Sequence, residues 1–220
     1  QYMGLLARPV GQLQAQIREL QHAGVSIGRV AELLAVAPRL PAGAGRPLPA
    51  GALAVAMERV SFGYGTAAPV LADISFDLAP GAVLGLLGRT GSGKTTVARL
   101  LARLYDPAAG AIRLAGVDLR DADLADVRGR VALVTQEVQM LGASLRDNLA
   151  LFDPALDDAR LLAAIRALGL WPWYATLPDG LDTALAAGGR GLSAGEAQLL
   201  ALARAFLRDP GLVILDEASA

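Results

Sequence analysis

Gly88-Arg89-Thr90-Gly91-Ser92-Gly93-Lys94-Thr95-Thr96 fits the pattern G-x-x-x-x-G-K-[ST], and the segments on either side of it indicate the fold. The apolar run 82–87 comes before it and predicts a buried strand. Residues 95–104 follow with apolar side chains at helical spacing and predict a helix. A strand, a glycine loop and a helix in this order indicate a phosphate-binding loop rather than an ordinary glycine turn.

The residue types in this loop suit a phosphate. Glycines let the backbone fold closely around the anion, and the N–H groups at the start of the helix face it. Lys94 is predicted to reach the β- and γ-phosphates, and the hydroxyl of Thr95 to ligate Mg²⁺. Lys94 is also the only lysine in a chain whose other basic residues, apart from one histidine, are arginines. A compact ammonium therefore stands where a phosphate needs a point charge.

Composition limits the class of protein. A length of 220 residues with 54% apolar content suits one ordinary domain with room for an appendage. The net charge of −1 offers no basic field for nucleic acid, so we expect no nucleic-acid partner. The chain has no cysteine, which excludes disulfides and cysteine-ligated metals. No apolar run reaches the about 18 residues that span a bilayer. Because the chain does not begin with Met, we expect it to be a fragment of a longer protein.

The first part of the chain predicts a helix and a linker. Apolar residues repeat at spacings of four and three from Leu13 to Leu34, which predicts a helix with one apolar seam that ends before Pro38. Such a seam needs a partner, either in the same domain or in another one, and both alternatives stay open. Residues 38–52 are rich in proline and glycine and have the composition of a linker. The globular part is predicted to begin near Leu53.

The remaining chain alternates between predicted strands and helices. Periodicity and turn signals predict strands at 53–62, 70–78, 111–114, 130–135 and 212–217. They predict helices at 123–129, 157–168 and 194–208. The last of these helices begins with Ser193-Ala194-Gly195-Glu196, which fits a capping box. This order of elements predicts an α/β fold.

Polar side chains stand at the ends of two predicted core strands. Asp216 and Glu217 end the last strand, where two carboxylates are costly unless a cation or a reaction uses them. Opposite a phosphate loop, Asp216 would hold Mg²⁺ and Glu217 would orient the attacking water; the alternative is a solvated strand end. Gln136 ends the strand 130–135, either as its polar terminus or as a ligand-binding residue. Tyr64 lies between two glycines as a core residue or an exposed stacking platform, and periodicity favours neither.

These motifs, in this order, resemble the nucleotide-binding domain of an ATP-binding cassette (ABC) transporter over residues 53–220. Gly88 to Thr96 is similar to the Walker A loop, and Leu212 to Glu217 to the Walker B strand with its catalytic glutamate. Tyr64 matches the aromatic residue that stacks on adenine, and Gln136 matches the glutamine of the Q-loop. Leu192 to Glu196 stands where the family has its LSGGQ signature.

The resemblance implies a P-loop NTPase core with a mixed or parallel sheet, an N-terminal antiparallel β subdomain, and a helical subdomain at about 140–208 that carries the signature. It implies ATP and Mg²⁺ as cofactors, with catalytic roles for Glu217, Lys94 and Gln136. The Mg²⁺ ligands would be Thr95, Gln136 and Asp216. The implied nucleotide contacts are Tyr64, Gly88, Arg89, Thr90, Gly91, Ser92, Gly93, Lys94, Thr95, Thr96, Ser193 and Gly195.

Residues 141–149 and 177–183 are similar to exporter segments, which implies a subunit at the cytoplasmic face of the cell membrane. Residues 1–37 would be the cytoplasmic end of the last transmembrane helix and its connector. The implied partners are a second nucleotide-binding domain, as homodimer or heterodimer, and a transmembrane domain of the same chain. A soluble ABC-type ATPase of DNA repair is disfavoured because both Walker motifs lie in one domain without an intervening coiled coil.

The sequence departs from the family at the signature and at its end. Ala194 and Glu196 replace Gly and Gln, and Glu196 would bring a negative charge near phosphate unless it turns back to cap Ser193. We predict that the capping box holds it away. The alternative function is a heterodimer subunit with one impaired composite site, acting mainly as an ATP-dependent dimerisation module. The switch histidine would follow Ala220, so we expect this chain alone to bind nucleotide better than it hydrolyses it.

Overall fold

A computed structural model describes residues 24, 26–36, 40–41, 43–65, 68–135 and 138–216. The chain divides into two compact units, Gln1–Pro41 and Ala42–Ala220. In the first unit, residues 26–34 are helical (α1) with exposed side chains, which confirms this part of the predicted N-terminal helix. The beginning of that predicted helix lies outside the described residues. Across the described ranges, no helix is long and apolar enough to cross a bilayer.

The second unit begins with an antiparallel sheet. In the order β2-β1-β3-β4, its strands are β1 (Val55–Phe62), β2 (Leu71–Leu78), β3 (Ala109–Leu114) and β4 (Val117–Asp118). In β1, Arg59 has a positive φ of 49°, and the register with both neighbours shifts there. This bulge keeps Met57 and Val60 on the same buried side although they are three residues apart. The predicted antiparallel subdomain is confirmed, and β4 is a short strand that the pattern did not predict.

A second sheet carries the strand ends at which the polar residues stand. β5 (Val131–Val134) pairs in parallel with β6 (Leu212–Leu215), with Val131 opposite Leu212 and Val134 opposite Leu215. Because the strands are parallel and in register, their carboxyl ends lie at the same edge. The backbone N–H of Asp216 continues the pairing by donating to the carbonyl of Val134 at 2.9 Å. The parallel sheet of the predicted core is confirmed.

Residues 82–87, before the glycine loop, do not form the predicted buried strand. They pair with no strand in the described part of the chain, and Val83 and Leu87 are 96% and 98% exposed. An apolar run becomes a strand only where a neighbour satisfies its backbone N–H and C=O groups. Here the run lines a cavity of about 730 Å³ together with β6. This prediction is therefore wrong for both pairing and burial.

Two helices pack against the sheets. α2 (Lys94–Leu101) buries Val97 and Leu100 in a core shared with the antiparallel sheet, and α3 (Leu124–Arg130) leads into β5. α2 was predicted to reach Leu104 but ends earlier, because Arg103 has a left-handed φ of 48°. The fully buried guanidinium of Arg103 donates to the carbonyl of Ala122 at 3.0 Å.

The predicted helical part forms around a core of its own. Its helices are α4 (Leu145–Ala150), α5 (Asp158–Ala167), α6 (Trp171–Tyr174) and α7 (Ala194–Leu207). Their shared core includes the fully buried side chains of Leu145, Leu161, Ile165 and Leu200. Side-chain caps define the helix starts, such as Asp157, which accepts a hydrogen bond from the N–H of Arg160 at 2.9 Å. α4 and α6 are too short to produce a readable periodicity, and the sequence did not predict them.

Candidate functional site

The glycine loop is a tight turn that requires glycine at particular positions. Gly91 and Gly93 have φ values of 82° and 94°, in the region that residues with a side chain rarely adopt. A Cβ on Gly93 would also lie 2.6 Å from Leu71 Cδ2, and a Cβ on Gly88 would lie 2.5 Å from Ser92 Oγ. The left-handed backbone therefore favours glycine at positions 91 and 93, whereas a Cβ at position 88 would require the side chain of Ser92 to shift. The glycine loop and the start of α2 match the prediction, although residues 82–87 before them do not form the predicted strand.

Lys94 begins α2 and returns to the loop that precedes it. Its Nζ donates to the carbonyl of Gly88 at 2.9 Å and to that of Arg89 at 3.3 Å. The first turn of α2 contains no acidic residue. The positive end of the helix dipole and the Lys94 ammonium therefore lie at the same place, the start of α2. The first turn of the helix contributes no carboxylate there. Both features favour an anion.

The structure brings the two predicted metal ligands that it describes into contact. Thr95 Oγ1 of α2 donates to Asp216 Oδ1 at 3.1 Å, although the two residues are 121 positions apart in the chain. A hydroxyl and a carboxylate are hard oxygen ligands, and Mg²⁺ is usually held by one or two carboxylates together with substrate phosphates and water. The donor set therefore fits Mg²⁺. Gln136 and Glu217, the other predicted residues of this site, lie outside the described residues.

Tyr64 lies beside α2, in a cluster of aromatic rings. Its ring is half-buried and makes edge-to-face contacts with Phe62 and Tyr105, at centroid distances of 5.0 and 5.3 Å. Its hydroxyl lies 3.3 Å from Thr96 Oγ1, which belongs to the glycine motif. Tyr64 is thus held next to the loop, as its predicted contact with the nucleotide requires. The half-buried ring is compatible with both interpretations of Tyr64, as a core residue and as a stacking platform.

Arg99 is a residue of this region that the sequence analysis missed. Its Nη1 donates to the Tyr64 hydroxyl at 3.3 Å. The hydrogen bond to Tyr64 is the main cause that raises the pKa of Arg99 above its ordinary value. Helical spacing could have indicated it, because Arg99 lies three positions after Thr96 and so on the same side of α2.

The capping box at the start of α7 is present as predicted. Ser193 Oγ accepts from the N–H of Glu196 at 3.2 Å, and the Glu196 carboxylate accepts from the N–H of Ser193 at 2.7 Å. Glu196 therefore folds back onto its own helix start. Ala194 is the first residue of α7, so its methyl group needs no left-handed backbone. Within the described ranges, no hydrogen bond links Ser193 or Gly195 to the glycine loop.

Comparison with known proteins agrees with this geometry. A family model described as "ABC transporter" matches residues 71–220. A solved structure described as a bacterial Atm1-family ABC exporter with ATP bound aligns with 99% of this chain and 38% of its own, with a TM-score of 0.81 and 28% identity.

Curated relatives agree as well. A multidrug efflux ATP-binding/permease protein of Mycobacterium bovis is 40% identical over 220 residues, 99% of this chain and 18% of the relative. An ATP-dependent lipid A-core flippase of Burkholderia pseudomallei is 41% identical over 185 residues, 83% of this chain and 31% of the relative. The chain thus spans less than a third of each of these relatives. From the matched family, the glycine loop and the Thr95–Asp216 contact, we conclude that this chain belongs to the ABC transporter family and contains its ATP-binding ATPase domain.

Proposed function

We propose that the chain is the motor domain of an exporter, in which two such domains dimerise around ATP and hydrolysis separates them again. The observation that carries this proposal is the contact between Thr95 and Asp216 beside Lys94. It places a hydroxyl, a carboxylate and an ammonium at the start of one helix. These groups can hold a triphosphate together with a divalent cation. The relatives named as efflux and flippase proteins support the exporter assignment.

Each residue of the site has a separate task in this proposal. The amides of residues 88–93 and the Lys94 ammonium bind the β- and γ-phosphates. The oxygens of Thr95 and Asp216, with Gln136, hold Mg²⁺, which neutralises charge on the phosphates when bound. Glu217 orients and polarises the attacking water. Because phosphoryl transfer needs little covalent work from the protein, positioning and charge stabilisation account for most of the rate.

The partners follow from the same proposal. The signature at Ser193 and Gly195 would face the ATP held by a second nucleotide-binding domain, so the site is shared between two domains. Tyr64 would stack on the adenine of the ATP held in its own loop. Residues 1–37 would connect the domain to a transmembrane domain of the same chain, at the cytoplasmic face of the membrane. Closure of the two domains would then move the membrane helices.

Calorimetry on the full-length protein tests the proposal. We expect ATP binding that strengthens with Mg²⁺. Lys94→Arg should weaken it at least about tenfold, because a planar guanidinium does not replace a compact ammonium in a tight loop. Asp216→Asn should remove most of the dependence on Mg²⁺ while binding without Mg²⁺ persists. Arg113→Lys changes a half-buried arginine of β3 that pairs with Glu58; it is the matched control and should bind as the wild type does.

Two results would contradict the proposal. One is the absence of magnesium-dependent ATP uptake by the wild-type protein. The other is an unchanged affinity in Lys94→Arg, since the ammonium would then not contact the phosphates.

A second candidate function is a heterodimer subunit that impairs one of two composite sites. The observation that favours it is Glu196, whose carboxylate lies at the start of α7 where the family has Gln. The ATP held by the partner would then remain bound and act as a dimerisation contact. Single-turnover hydrolysis with Lys94 and the partner's corresponding lysine mutated in turn separates the alternatives. Equal rates at both sites would exclude the impaired-site function.

A further inference from the structure

Arg204 of α7 binds the chain segment that connects β5 to α4. Its Nε donates to the carbonyl of Asn148 at 2.7 Å, and its Nη1 to the carbonyl of Gln139 at 2.8 Å. Its Nη2 donates to Asn148 Oδ1 at 2.9 Å and contacts Met140 Sδ at 3.3 Å. One guanidinium thus holds three oxygen atoms from two residues that are nine positions apart.

Asn148 extends this network along the same segment. The residue is only 1% exposed. Its Oδ1 accepts from the N–H of Leu141 at 2.9 Å, and its Nδ2 donates to the carbonyls of Leu141 and Ser144, each at 3.0 Å. Arg204 and Asn148 together therefore hold residues 139–144 against α4 and α7.

The charge of Arg204 suggests a role in positioning. Burial lowers the pKa of Arg204, which means that its charged form is partly desolvated. Among the described residues no carboxylate forms an ion pair with it, and the oxygens that it binds are neutral. Arg204 is partly buried, and desolvating a cation without a counter-ion has a cost, so a well-packed apolar side chain would often be at least as stable here. The planar guanidinium instead offers donors in fixed directions that match three carbonyl-type oxygens.

The segment held by Arg204 is continuous with the candidate site. Asp216, which contacts Thr95, also donates from its N–H to the carbonyl of Val134 at the end of β5. The chain then leads from β5 to the segment that Arg204 binds. At the other end of α7, ten positions before Arg204, lies Ala194 and with it the capping box. A movement of the β5 end can therefore reach the signature through α7.

We propose that Arg204 is a positioning residue that transmits binding at the glycine loop to the signature at the start of α7. The proposal rests on the proposed function, because it needs ATP at Lys94 and a role for Ser193. Among the described residues, the hydrogen bonds of Arg204 go to Gln139, Met140 and Asn148 and not to the glycine loop or Asp216. Arg204 fixes residues 139–144 to α7, so that both respond together when ATP binds.

Hydrogen exchange and kinetics on the full-length transporter test this inference. In the wild type, Mg²⁺ and ATP should slow amide exchange in both residues 139–144 and the first turns of α7. In Arg204→Lys, which keeps charge and approximate length, ATP affinity should stay within about twofold while kcat falls about tenfold or more. The protection of α7 by ATP should be lost. Arg208→Lys changes an exposed arginine four positions later, at the C-cap of α7; it is the matched control and should behave as the wild type.

The possible outcomes are distinct. If the wild type does not bind ATP, the proposed function itself fails. If it binds ATP but only one of the two segments changes its exchange, the inference fails without any variant being needed. An unchanged kcat and unchanged α7 protection in Arg204→Lys also overturn the inference. If Arg204→Lys lowers ATP affinity and thermal stability together, the role of Arg204 is merely structural, and this result also overturns the inference.

Discussion

Replacing Glu196 by Gln separates its charge from its hydrogen bond. In the wild type its carboxylate accepts from the N–H of Ser193 at 2.7 Å, while Ser193 Oγ accepts from the N–H of Glu196. Gln also completes a capping box, because its amide oxygen accepts the same bond. Glu196→Gln therefore keeps the geometry and removes one negative charge from the start of α7. The substitution removes the attraction between the carboxylate and the helix dipole, so we expect the free energy of unfolding to fall by about 0.3–1 kcal/mol.

The effect on hydrolysis depends on where the carboxylate points. A carboxylate about 4 Å from a phosphate charge would oppose it by about 4 kcal/mol at an effective dielectric constant of about 20. In the proposed dimer, removing it would then strengthen the association of the two domains by a factor approaching a thousand. Folded back into the capping box, the charge lies farther from the phosphate and in better-screened surroundings. The remaining repulsion is then about 1 kcal/mol or less, which corresponds to a change of at most about fivefold in the strength of association.

The assay is ATP hydrolysis by the full-length protein carrying Glu196→Gln. We expect kcat and KM to change by less than about fivefold, with a thermal unfolding temperature a few degrees lower. Glu196→Ala is the control, because it removes both the charge and the bond and should cost more stability. A rise in ATPase rate of about thirtyfold or more would refute the reasoning. The carboxylate would then face the phosphate in the working dimer instead of capping Ser193.

Three further predictions test the loop, the aromatic residue and an ion pair. Gly93→Ala should abolish ATP binding in calorimetry and destabilise the fold by about 1–3 kcal/mol, because alanine is strained at a φ of 94° and its Cβ meets Leu71; wild-type affinity would contradict this. Tyr64→Leu should weaken ATP binding about tenfold while Tyr64→Phe does not, since base stacking needs the ring; a fall in melting temperature without a change in Kd would instead show a core role. The hydrogen bond from Arg120 lowers the pKa of Asp118, so its stabilising contribution is present above about pH 4 and is lost as the pH falls further. Asp118→Asn should therefore flatten the loss of unfolding free energy in acid titrations monitored by circular dichroism, and an unchanged slope would exclude this contribution.

Local rules were enough for several parts of the site. The glycine loop needs left-handed φ values that only glycine adopts easily, so Gly91 and Gly93 were readable in the sequence. The capping box depends on residues three positions apart, and it formed as predicted at Ser193. The glycine loop and the capping box each depend on residues that are only a few positions apart, so distant parts of the chain have little influence on them.

Other parts depended on contacts between distant residues. The apolar run 82–87 had the composition of a buried strand, but a strand needs a paired neighbour, and the described chain leaves this run unpaired beside the cavity. The contacts of Arg204 were also unpredictable, because nothing in a helical pattern shows which carbonyls a partly buried guanidinium will meet. α4 was missed because its six residues are too few for a hydrophobic period.

Residue type and short-range spacing were enough to predict the chemistry of the site, which consists of a glycine loop with one lysine and a strand that ends in acids. The tertiary structure decided which of these groups meet. Thr95 reaches Asp216 because α2 and β6 pack on one core, which includes Leu100 of α2 and is contacted by Ile214 of β6. Such a contact spans 121 positions and depends on the packing of whole elements, which local sequence patterns do not encode.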